Sequence, residues 1–127
     1  MNLRLLALFF SATLFLFGEG PDWTDYRQAL AKGVETGKPV LLEVTSENCQ
    51  YCRFMNENVL PDPEVATFIN DRYIPSRLYR GRDDLPHPVR MTPTYFLIDA
   101  ATGKVLKTIP GGWKKGEFLD LITLKEE

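Results

Sequence analysis

The sequence predicts a single α/β domain: a central mixed β-sheet flanked by helices and preceded by an N-terminal signal segment. Three observations predict it. Val40 to Thr45 is a short apolar run, β-branched at its end, that leads through Ser46-Glu47-Asn48 into a helical pattern. Tyr95 to Ile98 and Val105 to Ile109 are two further strand-like runs, joined by the turn sequence Asp99-Ala100-Ala101-Thr102-Gly103-Lys104. Stretches of helical period stand before, between and after these runs, and 127 residues suffice for one domain only.

Composition narrows the class. Hydrophobic residues make up 44% and charged residues 25%, the balance of a globular protein. A net charge of −2, with no basic cluster, argues against nucleic acid as a partner. The N-terminus is a separate matter. Arg4 precedes an apolar run from Leu5 to Phe17 broken only by Ser11 and Thr13. A basic start and an h-region of this length read as a secretory signal peptide, residues 1–20, ahead of a domain over 21–127. The cleavage site is poorly written, with Leu16 or Pro21 in unfavourable positions for a cut after Gly18 or Gly20. A membrane-tethered form therefore stays open beside a periplasmic or secreted one.

The elements follow in order. Pro21 to Thr36 is expected as the first helix, capped by Asp22 or Thr24, with Trp23, Tyr26, Ala29, Leu30 and Val34 at helical spacing on its inner face. Gly37-Lys38-Pro39 ends it and launches the Val40–Thr45 strand. Glu43 interrupts that strand. A carboxylate there is either paired, or raised in pKa, or turned outward at a strand edge. If buried, it stands near the base of the next helix, where it could exchange a proton with Cys52 through a water.

That next helix opens on Cys49-Gln50-Tyr51-Cys52, which holds the only two cysteines of the chain. Ser46 or Asn48 is available as its cap. Cys49 falls in the first turn, where free backbone N–H groups and the helix dipole stabilise a thiolate, and a depressed pKa is expected for it. Cys52, one turn on, is expected to be more buried. Cys49 then attacks a substrate disulfide and Cys52 resolves the mixed disulfide. A cross-link closing so short a loop constrains the unfolded chain very little, so redox work accounts for the pair better than stapling does.

The helix continues through Phe54, Met55 and Val59 to Pro61. Asp62 caps a further helix with Pro63 in its first position and Val65, Phe68 and Ile69 inward. Tyr73 to Tyr79 is a strand in which Arg77 either pairs with Glu43 or faces solvent. Arg80 to Arg90 is a polar loop holding His87, the only histidine, expected at the surface. Two cysteines and one histidine fall short of a four-ligand zinc site, so no metal and no cofactor are expected. Pro93 stands directly before the Tyr95–Ile98 strand, and a cis bond after Thr92 would leave the Thr92 backbone free for an extended substrate. Gly111-Gly112 allows close backbone approach, and Lys115 to Leu124 closes the domain with Phe118, Leu119 and Ile122 inward.

Taken together, Lys38-Pro39-Val40-Leu41-Leu42-Glu43, Cys49-Gln50-Tyr51-Cys52, Thr92-Pro93-Thr94 and Gly111-Gly112 resemble the thioredoxin fold over about residues 22 to 124. The runs Gly37 to Glu43 and Asp62-Pro63-Glu64-Val65 look most like exported thioredoxin-like proteins related to the electron-delivering C-terminal domain of DsbD. The resemblance implies Cys49 as nucleophile, Cys52 as resolving thiol, Pro93 as the cis-proline and Glu43 as the buried acid, in place of the usual Asp. Substrate contacts are expected at Thr92, Pro93, Tyr51 and Gly111. This chain has Asn48-Cys49-Gln50-Tyr51-Cys52 and so lacks the tryptophan before, and the Gly-Pro dipeptide between, the cysteines of cytosolic thioredoxins. Tyr51 and Thr92 resemble disulfide isomerases instead.

The expected function is a periplasmic thiol–disulfide oxidoreductase, a protein-disulfide reductase acting as a monomer on protein dithiol and disulfide substrates. Its electrons would come from a membrane-bound donor. Two alternatives stand beside it: an oxidase or isomerase of the same fold, and a redox-inert binding module. An isomerase usually needs a dimerisation module, for which these residues leave no room, and two intact cysteines argue against the inert module.

Overall fold

A computed structural model describes residues 20–125. The expected signal segment lies outside the described residues except for Gly20. Element order is α1 (Tyr26–Thr36), β1 (Val40–Thr45), α2 (Gln50–Phe54), a π-helical turn (Met55–Val59), α3 (Pro63–Arg72), β2 (Ile74–Tyr79), β3 (Thr94–Ile98), β4 (Val105–Pro110) and α4 (Lys115–Leu121). The sheet runs β2-β1-β3-β4, with β1 parallel to β2 and antiparallel to β3, and β3 antiparallel to β4. The expected mixed sheet flanked by helices is what forms.

Burial on both faces explains why β1 is almost continuously apolar. Its alternation sends Leu41 to one side, where Tyr95, Leu97 and Ile109 meet Met55, Val59, Val65, Ile69, Phe118 and Ile122. Val40, Leu42 and Val44 go to the other, with Phe96, Ile98 and Ala29 of α1, and Leu85 and Val89 of the long loop pack on the outside. Each Leu or Val so buried contributes about 1.5–3 kcal/mol. The first face is the one that carries α2, and Glu43 shares it with Leu41.

Several boundaries differ from expectation. The first helix starts at Tyr26, not Pro21, and its cap is Asp25, whose Oδ2 accepts from the Gln28 N–H at 3.3 Å. The preceding residues have a competing use: Thr24 bridges Ser76 in parallel and donates its N–H to the Pro75 carbonyl at 2.8 Å. Trp23 thus leaves the helix and covers Arg77, whose guanidinium carbon lies 4.1 Å from its ring centre. On α1 the buried positions are Ala29, as expected, and Gly33, whereas Val34 is 59% exposed. The last helix ends at Leu121 rather than Leu124, with Phe118 and Ile122 buried as expected. His87 is tied down rather than free at the surface, with Nε2 3.1 Å from the Gly103 carbonyl and its ring beside Phe96. It clips the long loop onto the β3–β4 turn.

Candidate functional site

The two cysteines sit where β1 ends and α2 begins. Asn48 adopts a left-handed conformation, φ 55°, which asparagine tolerates better than most residues. That turn brings Cys49 to the helix start, where it is itself the cap: its Sγ accepts from the Cys52 N–H at 3.2 Å. The expected caps, Ser46 and Asn48, do not act as caps, because Asn48 is committed to the turn and Ser46 faces another loop. The Cα atoms of Cys49 and Cys52 are 5.2 Å apart and their sulfurs are bonded. The pair is asymmetric. Cys49 is partly exposed, whereas Cys52 is 3% exposed on the inner face of α2.

A second loop faces Cys49. The Thr92–Pro93 peptide is cis, Pro93 is buried, and the Thr94 hydroxyl donates to the Met91 carbonyl at 2.7 Å. The Thr92 carbonyl oxygen lies 3.3 Å from Cys49 Sγ, and Thr92 Oγ1 lies 3.5 Å from the same sulfur. Thr92 Oγ1 also meets Ser46 Oγ at 2.6 Å. Gly111 anchors this loop from the other side, its N–H donating to the Pro93 carbonyl at 2.8 Å; its φ of 89° suits glycine. Gly112 lies directly under Tyr51, where an added Cβ would come within 3.3 Å of Tyr51 Cβ. Tyr51 is 62% and Met91 49% exposed, so they form an apolar rim on either side of the Gly111-Gly112 turn.

Glu43 is buried, at 1% exposure, and not turned out at an edge. Register explains its partners. Glu43 stands opposite Arg77 on β2 and Tyr95 on β3. Arg77 Nε donates to Oε1 at 2.6 Å and the Tyr95 hydroxyl to Oε2 at 2.7 Å. Burial pushes the Glu43 carboxyl above the usual range, and Arg77 and Tyr95 offset this in part. Tyr95 is raised well above an ordinary tyrosine by its own burial and the adjoining carboxylate. Arg77 also donates to Asn56 Oδ1 at 2.7 Å, linking the acid to the π-helical turn that follows Cys52.

The structure therefore brings Cys49, Cys52, Thr92, Pro93, Tyr51 and the Gly111 turn to one end of the sheet, with Glu43 buried in β1 below. Sequence reasoning missed Ser46 as the partner of Thr92, Tyr95 as the second partner of Glu43, and Met91 at the rim, whereas Gly112, expected to allow close approach, lies under Tyr51. The alternation of β3 could have flagged Tyr95 as an inward polar group. Among the described residues, no cluster of three or more His, Cys, Asp or Glu is placed to hold a metal, and no helix is long and apolar enough to cross a membrane.

Residues 26–125 match the profile of a family described as the thioredoxin-like domain. The chain belongs to the thioredoxin-like family. Among solved structures, a thioredoxin from Thermus thermophilus is 26% identical, with a TM-score of 0.66 over 80% of this chain and 83% of that one. A DsbH oxidoreductase is 21% identical, at a TM-score of 0.64 over 80% and 81% of the two chains. The oxidised C-terminal domain of Neisseria meningitidis DsbD is 20% identical, at 0.55 over 74% and 87%. At those identities the last two share the fold. No curated protein matches the chain. A thioredoxin-like fold with a bonded Cys-x-x-Cys pair supports thiol–disulfide oxidoreductase chemistry.

Proposed function

We propose that this thioredoxin-like chain is a periplasmic protein-disulfide reductase, recharged by a membrane-bound dithiol donor. The observation that carries the reading is the asymmetry of the bonded pair: Cys49 partly exposed beside Thr92, Cys52 buried. The Cys49 thiolate attacks one sulfur of a substrate disulfide. A mixed disulfide forms as the substrate S–S bond breaks, and the displaced sulfur takes up a proton. Cys52 passes its proton through a water to Glu43, then attacks Cys49 Sγ and releases the second substrate sulfur, which is protonated in turn. The substrate gains two electrons and two protons, and the chain ends as the Cys49–Cys52 disulfide until the donor reduces it. Thr92, Pro93, Tyr51 and Gly111 line the surface on which the substrate lies. The raised pKa of the buried Glu43 carboxyl supports its role as proton acceptor.

One observation favours the opposite direction. The Thr92 hydroxyl beside Cys49 Sγ would stabilise a thiolate, hence the reduced form, and a stabilised reduced form makes an oxidant. The equilibrium with glutathione separates the readings. A reductase is expected near thioredoxin's value of roughly −270 mV; a value near about −120 mV would make the chain an oxidase. Replacing Cys52 by Ala is expected to trap mixed disulfides through Cys49 from periplasmic extract. Recovery of none would leave only a redox-inert binding module.

A further inference from the structure

We infer that Ser46 is a positioning residue for the nucleophile: its hydroxyl holds that of Thr92 so that the Thr92 proton is aimed at Cys49 Sγ. The inference rests on the reading of Cys49 as the attacking thiol. Ser46 leaves the end of β1 and Thr92 precedes β3, 46 residues away, yet their oxygens are 2.6 Å apart, and Thr92 Oγ1 is 3.5 Å from the sulfur. Both residues are partly buried, so water does not freely replace either hydroxyl.

Each hydroxyl carries a single proton. Thr92 can give its own to Ser46 or to Cys49, but not fully to both. While Cys49 is in the disulfide its sulfur is a weak acceptor and the direction is open. Once Cys49 is a thiolate, the sulfur is the stronger acceptor and the Thr92 proton turns to it. Ser46 is then the group that donates to Thr92 Oγ1, and two aligned O–H dipoles end on the sulfur, each polarising the next. The other polar contacts of the sulfur are the Cys52 N–H at 3.2 Å and the Thr92 carbonyl oxygen at 3.3 Å, neither of them charged. The acids nearest in sequence are turned away, Glu43 to Arg77 and Glu47 to Arg82. The hydroxyl pair is thus a stabilising influence specific to the reduced form.

The test uses the full chain, reduced, with four variants: Ser46→Ala, Ser46→Thr, Thr92→Val and the double variant S46A/T92V. Two readouts apply, the pH dependence of Cys49 alkylation by iodoacetamide and the equilibrium with glutathione. S46A is expected to move the alkylation midpoint to higher pH. It should shift the equilibrium toward the disulfide roughly fivefold, the size of one modest hydrogen-bond contribution. S46T, which keeps the hydroxyl, should restore both, and adding S46A to T92V should change neither further. S46A values equal to wild type, or an equal S46A effect with and without Thr92, would overturn the role of Ser46. Mapping the alkylated residue separates this from the nucleophile reading. If Cys52 reacts before Cys49, the assignment of Cys49 falls, and that of Ser46 with it. If Cys49 reacts first and S46A changes nothing, only Ser46 falls.

Discussion

Glu43 is the side chain whose place in the sheet is hardest to reconcile with burial alone. An ionised carboxyl at 1% exposure needs partners, and it has two, Arg77 and Tyr95, one from each neighbouring strand. The sequence showed that an acid in a buried strand must be paired or raised in pKa, and both hold. It could not name Tyr95, because that contact depends on the β1–β3 register, 52 residues apart in sequence. Replacing Glu43 by Gln keeps the shape, with the amide oxygen accepting from Arg77 Nε and the amide N–H donating to the Tyr95 hydroxyl, which must reverse its role, and it removes the proposed proton acceptor. We expect E43Q to stay folded and to slow the resolving step roughly a hundredfold or more, the scale of a general acid–base contribution. Single-turnover reduction of a disulfide peptide measures it, and an unchanged rate would remove Glu43 from the mechanism. The cysteines, by contrast, were legible residue by residue: their spacing, the strand before them and the helix after them are all local.

Among the elements, α1 shows where local rules are overruled. Gly33 lies in its interior, where alanine ordinarily gains about 1 kcal/mol of helix stability. Here a Cβ on Gly33 would come within 2.5 Å of Ala100 Cβ and 2.6 Å of the Lys38 carbonyl oxygen. G33A is therefore expected to destabilise the fold by about 1–3 kcal/mol, read as a lower urea midpoint with an unchanged slope; a stabilised variant would refute the packing argument. The caps divide in the same way. Asp62-Pro63 opens α3 as expected, Asp62 Oδ1 accepting from the N–H groups of Glu64 and Val65, because the signal lies within four residues. At α1 and α2 the caps moved. Thr24 is taken by β2, and Asn48 by the turn that presents Cys49. The expected helix after Cys52 likewise widens to a π-helical turn at Met55–Val59, which carries Asn56, the residue that Arg77 holds.

At the scale of the whole molecule, the Glu43–Arg77–Tyr95 set ties β1, β2 and β3 together and makes stability depend on pH. The folded Glu43 carboxyl keeps its proton to a higher pH than an unfolded glutamate, whose pKa is about 4.3. Between those two values the folded chain binds more protons than the unfolded one, so stability falls as pH rises. The contribution is complete below the unfolded value and lost through the folded one. Asp62 works in the opposite sense: although its partial burial opposes ionisation, Lys115 and the α3 N–H groups hold its pKa low, and its contribution is lost as pH falls. The difference between wild-type and E43Q unfolding free energies across this range isolates Glu43. It should decline with rising pH, and a flat difference would show that Arg77 and Tyr95 cancel the cost of burial completely.

The sequence by itself determined the α/β class, the order of the elements and the Cys-x-x-Cys at a strand–helix junction, because periodicity, turn residues and helix starts act over a few residues. It also made Glu43 conspicuous, as one charge in an apolar run. Only the tertiary structure decided which groups meet those residues: Tyr95 and Arg77 at Glu43, Thr92 at Cys49 with Ser46 against Thr92, Gly112 beneath Tyr51. Each is a contact between distant segments set by strand register and by the packing of α1 and α2 on the sheet. Such contacts are specified by the fold as a whole, and no short window of sequence contains them.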